Sequence, residues 1–386
     1  MPDSRAAPAA VVAIRLTGFR NYANLSLTFT RAPVVLTGAN GAGKTNLLEA
    51  ISFLSPGRGL RHADLSEVAR RGGDGAWAVA ATVRNPAGDV DIGTGIALGP
   101  EGPDSRRSLR VNHAAVRSTD ALLEHLRVIW LTPSMDGLFT GPAAERRRFL
   151  DRAVYAIDGH HGTRVNAFEK AMRGRNKLLA EGPDHSAWLD AIETEMAELA
   201  VAIAAARREW AGLVAALIAA GDRASPFPWA EIALEGQLEH WLDGHSARAV
   251  EDLYRADLEG ERPNDAHAGR TLAGPHRSDL RVRHGPKQVA AETCSTGEQK
   301  ALLIGLTLAE ARLSTQLTGE TPVVLLDEIA AHLDEARRAA LFAVLDELGC
   351  QAFMTGTDAS VFAPLGDKAE RFAVRDATVT PTGPGA

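Results

Sequence analysis

The sequence predicts an α/β fold in which a mixed sheet with flanking helices is split by a helical arm inserted between its two halves. Three observations carry this prediction. The stretch Gly38-Ala39-Asn40-Gly41-Ala42-Gly43-Lys44-Thr45 matches the phosphate-loop pattern G-x-x-x-x-G-K-[ST] at every fixed position. Far downstream, the apolar run Val323-Val324-Leu325-Leu326 ends in Asp327-Glu328, as a buried parallel strand does when it delivers acids to a site at its carboxyl end. Between the two, strong helix formers dominate from Pro142 to about Leu258.

In chain order, Ile14, Leu16, Leu25, Leu27 and Phe29 interleave with polar residues between Val11 and Val35, the alternation of half-buried strands. Gly18-Phe19-Arg20-Asn21-Tyr22 reads as the turn between them. The apolar run from Ala6 to Ile14 is the lead-in to the first strand; it lacks a clear basic leader and cleavage site, and Arg15 interrupts it, so no export signal is expected. Val34-Val35-Leu36 is a short buried strand, and Asn46-Leu47-Leu48-Glu49-Ala50-Ile51 has helical composition, so the glycines fall on a strand-to-helix turn. Leu54-Ser55-Pro56-Gly57-Arg58-Gly59 breaks the pattern, and short β-like runs continue to about Val116. Phe149, Val154, Phe168, Met172, Leu178, Leu179, Ile192, Met196, Leu199 and Ile203 then take helical spacing. Arg255 to Ala273, polar and rich in Gly, Asn, Asp and His, reads as a linker or surface loop that returns the chain to the first lobe. Beyond it a helix is expected from about Ala301 to Leu313, and strands at Val323–Leu326 and Cys350–Met354. The expected domains are 1–141 and 271–386, the two parts of one head, and 142–270, the arm.

Composition narrows the function. At 386 residues, 45% hydrophobic and 24% charged, the chain is neither disordered nor fibrous. Its two cysteines, Cys294 and Cys350, have no CxxC or histidine neighbours at ligand spacing, which argues against a disulfide framework or a zinc site and fits a reducing cytoplasm. The apolar stretch Met196 to Ala220 is interrupted by Arg207-Arg208-Glu209, so no membrane span is expected. A net charge of −7 excludes a uniformly basic coat for nucleic acid but permits a local basic face.

The phosphate loop carries the chemistry. From Gly38 through Ala39, Asn40, Gly41, Ala42 and Gly43, backbone N–H groups can turn inward on phosphate oxygens, and the helix start adds partial positive charge. Lys44 can reach the β- and γ-phosphates, and the Thr45 hydroxyl can ligate Mg²⁺. Asp327 is then the acid on the metal side, and Glu328 the general base that takes a proton from an attacking water. The competing reading of these acids is a strand that runs into an acidic helix start.

Cys294-Ser295-Thr296-Gly297-Glu298-Gln299-Lys300 resembles the signature of ABC-type ATPases in its Ser-x-Gly-x-Gln form. That resemblance implies that Ser295, Gly297 and Gln299 of one copy close over the nucleotide held by the phosphate loop of another. The competing reading is a capping box, since Ser295 precedes Glu298 by three. Ala331-His332-Leu333-Asp334 resembles the loop that crosses the dimer interface in the same class, with Asp334 aligning the opposing site. Thr45 and Ser295 lie about 250 residues apart, which separates the chain from transport ATPases, and no heptad array of long coiled-coil arms is present.

Several further segments resemble the bacterial RecF family of SMC-like ABC-type ATPases, and they spread over nearly the whole chain. They are Phe19-Arg20-Asn21-Tyr22, Gly41 to Ala50, Phe53 to Arg58, Arg146 to Asp151, Gly174 to Leu179 and Gly274-Pro275-His276-Arg277-Ser278-Asp279. The resemblance implies an ABC-type ATPase head with ATP and Mg²⁺ as cofactors and a weak, DNA-dependent ATPase. It also implies an ATP-induced homodimer acting in recombinational repair, replication and the response to DNA damage. The implied partners are duplex and gapped DNA at single-strand/double-strand junctions, RecR and RecO, and RecA indirectly. The sequence departs from the class in three places: Glu298 adds a negative charge to the signature, Trp130 to Asp136 occupies a Q-loop position without a glutamine and leaves Asp136 as the substitute, and Met354-Thr355-Gly356-Thr357 has no switch histidine. Arg106, Arg107 and Arg110, Arg146 to Arg148, and Arg173, Arg175 and Lys177 are the basic clusters open to DNA, although solvated faces and intrachain ion pairs compete for each. Arg58 and Arg61 face either nucleotide or DNA, and His276 is expected to hydrogen-bond rather than to bind metal. The rival is an ATPase subunit of a non-DNA complex, disfavoured by the long helical insertion; a nuclease would need a further acidic domain that the chain is too short to carry.

Overall fold

A computed structural model describes residues 8–100, 102–104, 106–182, 185–221, 223 and 225–383. Ala6 and Ala7 of the expected lead-in lie outside the described residues. The chain divides into two compact units, one of Met1–Asp136, Ala224–Phe227 and Leu306–Ala386, the other of Gly137–Arg223 and Pro228–Gly305. These limits differ from a division at 141 and 270 because β-pairing and an ion pair, described below, tie residues 279–284 to the helical segment.

The first unit opens with β1 (Ala10–Phe19), β2 (Tyr22–Thr28), β3 (Val34–Thr37) and α1 (Lys44–Ser52). It continues with β4 (Trp77–Asn85), β5 (Gly88–Ile96), the short pair β6 (Leu98–Gly99) and β7 (Gly102–Pro103), β8 (Ser108–Val111), β9 (Ala114–Ala115) and β10 (Val128–Leu131). The second unit holds α2 (Ala143–Ala153), α3 (His161–Glu181), α4 (Ser186–Ala220), β11 (Ala230–Glu235), α5 (Gln237–Gly244), α6 (Ala247–Gly260), α7 (Arg262–Ala268), β12 (Asp279–His284) and β13 (Val289–Ala290). α8 (Thr296–Thr318) starts there and ends in the first unit, which closes with β14 (Val323–Leu326), α9 (Glu335–Leu348), β15 (Ala352–Gly356), β16 (Glu370–Arg375) and β17 (Thr378–Thr382).

Two six-stranded sheets build the first unit. One is antiparallel, in the order β2-β1-β4-β5-β8-β9, and its alternating burial matches the alternation read from the sequence. The other runs β10-β14-β15-β3-β16-β17 and is parallel up to its edge strand β17. Its central strands β14 and β15 are buried at every residue, as expected of strands covered on both faces. The β1–β2 turn is tighter than the five residues expected: Phe19 pairs with Tyr22, leaving only Arg20 and Asn21 to turn, with Arg20 at φ 52°. Burial is the reason, because Phe19 and Tyr22 are both inaccessible and Phe19 packs edge-on against Phe53 and Trp77, with ring centroids 6.0 and 5.7 Å away.

The second unit corrects the sequence reading twice. The expected linker Arg255–Ala273 is mostly helical, running through the end of α6 and all of α7, and Asp265 and Thr271 within it are 1% and 2% exposed. Its polar composition serves a buried network: Arg175, wholly buried, donates to Glu193 at 2.8 Å, Asp265 at 2.5 Å, Thr271 Oγ1 at 3.0 Å and the Leu258 carbonyl at 2.7 Å. The supposed all-helical arm also contains a strand, β11, paired antiparallel with β12 from Ala230–His284 to Glu235–Asp279. Asp279, at the start of β12, accepts a bidentate pair from Arg146 of α2 at 2.7 and 2.8 Å.

Candidate nucleotide site

The phosphate loop follows β3 and ends in the first turn of α1. Gly38 has φ 157°, and a Cβ there would lie 2.1 Å from the Val374 carbonyl oxygen; Gly43 has φ 119°, and its Cβ would meet Asn21 Nδ2 at 2.7 Å and the Tyr22 hydroxyl at 2.8 Å. Only glycine fits either position. The close approach at Gly43 belongs to a clamp from the β1–β2 hairpin. Tyr22 donates to the Gly43 carbonyl at 3.0 Å and Asn21 to the Ala42 carbonyl at 3.2 Å, while Asn46 donates to Asn21 Oδ1 at 2.7 Å. Burial pushes the Tyr22 phenol well above its ordinary value, so it stays a donor at any physiological pH. No side chain caps α1, and its first N–H groups are left for an anion.

Lys44 is 4% exposed and donates to the carbonyls of Gly38 at 2.7 Å and Ala39 at 3.0 Å, which curls it back over the loop. Burial lowers the affinity of its amine for a proton, and Glu328 and Asp327 oppose that shift, so both acids lie within electrostatic reach of it. The Thr45 hydroxyl reaches Asp327 Oδ1 at 2.9 Å and Oδ2 at 3.0 Å, across 282 residues of sequence. Parallel pairing explains the delivery: β14 lies between β10 and β15, and the Asp327 N–H donates to the Leu131 carbonyl at 2.9 Å at the carboxyl end of the sheet. A further hydroxyl enters from β15, where Thr355 Oγ1 donates to Asp327 Oδ1 at 2.8 Å and accepts the Glu328 N–H at 2.9 Å. Glu328 holds φ 56°, a left-handed conformation uncommon for a residue with a Cβ. Sequence alone gives Asn21, Tyr22 and Thr355 no role: the first two belong to the Phe19-Arg20-Asn21-Tyr22 segment, and Thr355 lies in the stretch Met354–Thr357 that lacks a switch histidine.

A hydroxyl and one carboxylate suit Mg²⁺, which takes one or two carboxylates and completes its shell with substrate phosphates and water. Among the described residues no group of three His, Cys, Asp or Glu side chains is placed to hold a metal. The Thr45–Asp327 pair therefore fits a metal that arrives with phosphate.

The signature lies in the second unit. α8 begins at Thr296, five residues before the expected Ala301, so the signature itself forms the first turn. Ser295 and Glu298 form the capping box: Ser295 Oγ accepts the Glu298 N–H at 3.4 Å, and Glu298 Oε2 accepts the Ser295 N–H at 3.1 Å. Lys287 pairs with Glu298 and, with the Ser295 bonds, holds its carboxyl at about 2, so the extra charge of the signature is locally compensated. Gln299 is buried and donates to the carbonyls of Cys294 at 2.9 Å and Glu292 at 3.3 Å, whereas Ser295 and Gly297 are exposed. Asp334 caps α9 by accepting the Arg337 N–H at 2.8 Å. Asp136 is exposed after the short 3-10 turn Pro133–Met135.

Most of the basic candidates have intrachain work. Arg107 is held by Thr94 at 2.6 Å, the carbonyls of Gly57 and Phe53, and the Phe53 ring, and burial lowers its pKa to about 10. Arg146 and Arg175 are buried in the ion pairs above, and Arg147 donates to the Ser278 carbonyl at 2.9 Å. Arg148 pairs with Glu145, Arg173 with Glu169 and Lys177 with Glu181. Arg61 pairs with the wholly buried Glu49, which Arg20 also holds at 2.6 and 2.8 Å, and Arg58 pairs with Asp64. Arg106 and Arg110 are exposed and form no ion pair among the described residues. His276 Nε2 donates to the Thr271 carbonyl at 3.0 Å, and burial lowers its pKa. Both cysteines are free. Among the described residues no helix is long and apolar enough to cross a membrane.

Comparison with known proteins gives a consistent picture. The family model for the RecF/RecN/SMC N-terminal domain matches residues 10–379. The DNA replication and repair protein RecF of Mesorhizobium japonicum is 58% identical over 369 residues, covering 96% of this chain and 97% of that protein. A solved structure of the recombination mediator protein RecF-ATP in the RecFOR pathway aligns with a TM-score of 0.86 at 23% identity, over 99% of this chain and 100% of the other. The Smc head domain of Pyrococcus furiosus, solved with an extended coiled coil and bound to the C-terminal domain of ScpA, aligns with a TM-score of 0.53 at 17% identity, over 97% and 96%. The fold is the head of the ABC-type ATPases.

Proposed function

This chain belongs to the RecF family, and on that premise we propose that it is a cytoplasmic ATP-binding switch of DNA replication and recombinational repair. It binds ATP with Mg²⁺, dimerises around the nucleotide, engages duplex DNA beside single-stranded gaps, hydrolyses ATP weakly in response to DNA, and assists RecA loading with RecR and RecO. The observation that carries the reading is the Thr45–Asp327 contact, at 2.9 and 3.0 Å, which joins the phosphate loop to the acid strand as one site.

In this reading the loop from Gly38 to Gly43 and the uncapped start of α1 bind the phosphates, and Lys44 exchanges its carbonyl partners for phosphate oxygens. Thr45 and Asp327 would hold Mg²⁺, which when bound supplies charge neutralisation to the phosphoryl group. Glu328 accepts the proton of the attacking water. Ser295 and Gly297 of a second copy contribute donors from an exposed helix start, Gln299 braces that turn, and Asp334 aligns the two copies. The helical unit inserted after the phosphate-loop segment acts as the arm of the head.

Sedimentation with Mg-ATP tests this. The parent and Glu328→Gln are expected to dimerise, Ser295→Arg and Lys44→Met to remain monomeric, and hydrolysis by the parent to quicken with gapped duplex. A parent that stays monomeric under every condition, or hydrolysis indifferent to DNA, would remove the central claim.

A further inference from the structure

Thr355 stands on β15, whose parallel register with β14 pairs Leu326 with Met354 and so brings the next residue of each strand, Asp327 and Thr355, together. Its side chain is wholly buried. One hydroxyl makes two bonds there, and each falls on a different acid of the site: its proton goes to Asp327 Oδ1 at 2.8 Å, and its oxygen receives the Glu328 N–H at 2.9 Å. Glu328 meanwhile sits at φ 56°, where a residue with a Cβ stays only when its surroundings hold it.

We propose that Thr355 is a positioning residue for ATP hydrolysis, a single hydroxyl that fixes the Asp327 carboxylate toward the metal and locks the Glu328 backbone in the conformation that aims its carboxylate at the site. The inference rests on the nucleotide reading above. Asp327 has a second hydroxyl partner, Thr45, but Glu328 gets its backbone restraint from Thr355. Removing the hydroxyl loosens both acids at once: Asp327 can rotate about its side-chain bonds, and residue 328 can relax toward negative φ and carry its carboxylate away from Lys44. A threonine that merely filled the core would be replaced by the isosteric valine without consequence beyond the buried polar bonds.

Thr355→Val and Thr355→Ser separate these roles. We expect Thr355→Val to lower kcat roughly 10–100-fold and to raise the Mg²⁺ concentration needed for binding of a fluorescent ATP analogue by a similar factor, the usual effect of removing a partner that orients a metal ligand. Its affinity for the analogue at saturating Mg²⁺ should stay close to the parent's. Thr355→Ser, which keeps the hydroxyl, should restore both readouts. Parent-like hydrolysis and metal dependence in Thr355→Val would overturn the proposal, as would equal impairment of the Ser and Val variants, because the retained hydroxyl of serine would then have restored nothing. If melting shows that Thr355→Val does not fold, Thr355→Ala takes its place, and parent-like behaviour of that variant is equally fatal. A parent that binds the analogue with Mg²⁺ but never hydrolyses ATP would sink the hydrolysis reading and with it the Glu328 half of the proposal, while the metal midpoint of Val against Ser would still decide the Asp327 half.

Discussion

Arg175 in the helical unit and Lys44 in the phosphate loop are both cations withdrawn from water, at 0% and 4% exposure, yet their surroundings differ in kind. Arg175 spends its donors on Glu193, Asp265, Thr271 and the Leu258 carbonyl, and Arg262 closes over Glu193 from the other side. Lys44 has only two backbone carbonyls, and the acids that act on its charge, Glu328 and Asp327, form no ion pair with it among the described residues. A buried guanidinium whose three nitrogens are all hydrogen-bonded is committed to the fold, since any ligand would have to break an optimised pair in low dielectric. A charge held by neutral carbonyls can exchange them for phosphate. The same criterion removes Arg107, Arg146 and Arg175 from the DNA candidates, whereas Arg106 and Arg110 are exposed with no ion pair among the described residues.

The sharpest way to break this contrast is to remove each cation. Arg175→Met removes the ion-pair partner of the buried Asp265 and leaves Glu193 with Arg262 alone, and is expected to cost about 3–5 kcal/mol of unfolding free energy in urea titrations. Lys44→Met, by the same measurement, should change stability by less than about 1 kcal/mol while abolishing nucleotide binding. Equal losses in the two variants would end the distinction.

A smaller effect is expected from acid. Burial alone would raise the pKa of Asp151, but the Arg207 guanidinium and the His161 hydrogen bond hold it at about 2. A carboxylate depressed in the folded state contributes stability above its unfolded pKa, near 3.8, and loses it as pH falls toward 2. That contribution is about 2 kcal/mol. The urea midpoint of the parent should drop through that window, and Asp151→Asn, less stable at neutral pH, should show a shallower drop. Parallel curves for the two chains would show that Asp151 is not saturated in the way Arg175 is.

The smallest effects belong to Arg106 and Arg110, which form no ion pair among the described residues. Arg106→Ala and Arg110→Ala should leave melting unchanged and, wherever the side chain meets a phosphate, reduce the slope of log affinity for duplex DNA against log salt by about 1 each. Arg173→Ala, whose side chain already pairs with Glu169, should do less. The reverse ranking would show that ion pairing within the chain does not decide which arginines are free for DNA.

Sequence reading worked best where function depends on residue type at short spacing. The phosphate loop, its strand and its helix lie within nineteen positions, from Val34 to Ser52, and glycine, lysine and threonine are dictated there by close backbone approach and phosphate chemistry. The acid pair after an apolar strand and the capping box at the start of α8 were legible for the same reason. The loop assigned to Arg255–Ala273 was misread because its polarity looked solvent-directed, while its partners lay elsewhere: Arg175 and Asp265 are 90 residues apart. β11 escaped notice because a six-residue strand beside strong helices is recognised only through β12.

By itself, then, the chain's order of residues determined that a phosphate loop and an acid-ended strand exist and that a helical segment separates them, because those features are written in local backbone geometry and hydrophobic period. Tertiary structure alone decided that Thr45 meets Asp327, that Thr355 bridges Asp327 and Glu328, that Asn21 and Tyr22 clamp the loop, and which arginines are spent. Each of those depends on which distant group satisfies a buried donor or charge. Burial makes that satisfaction obligatory, but no local pattern encodes the partner.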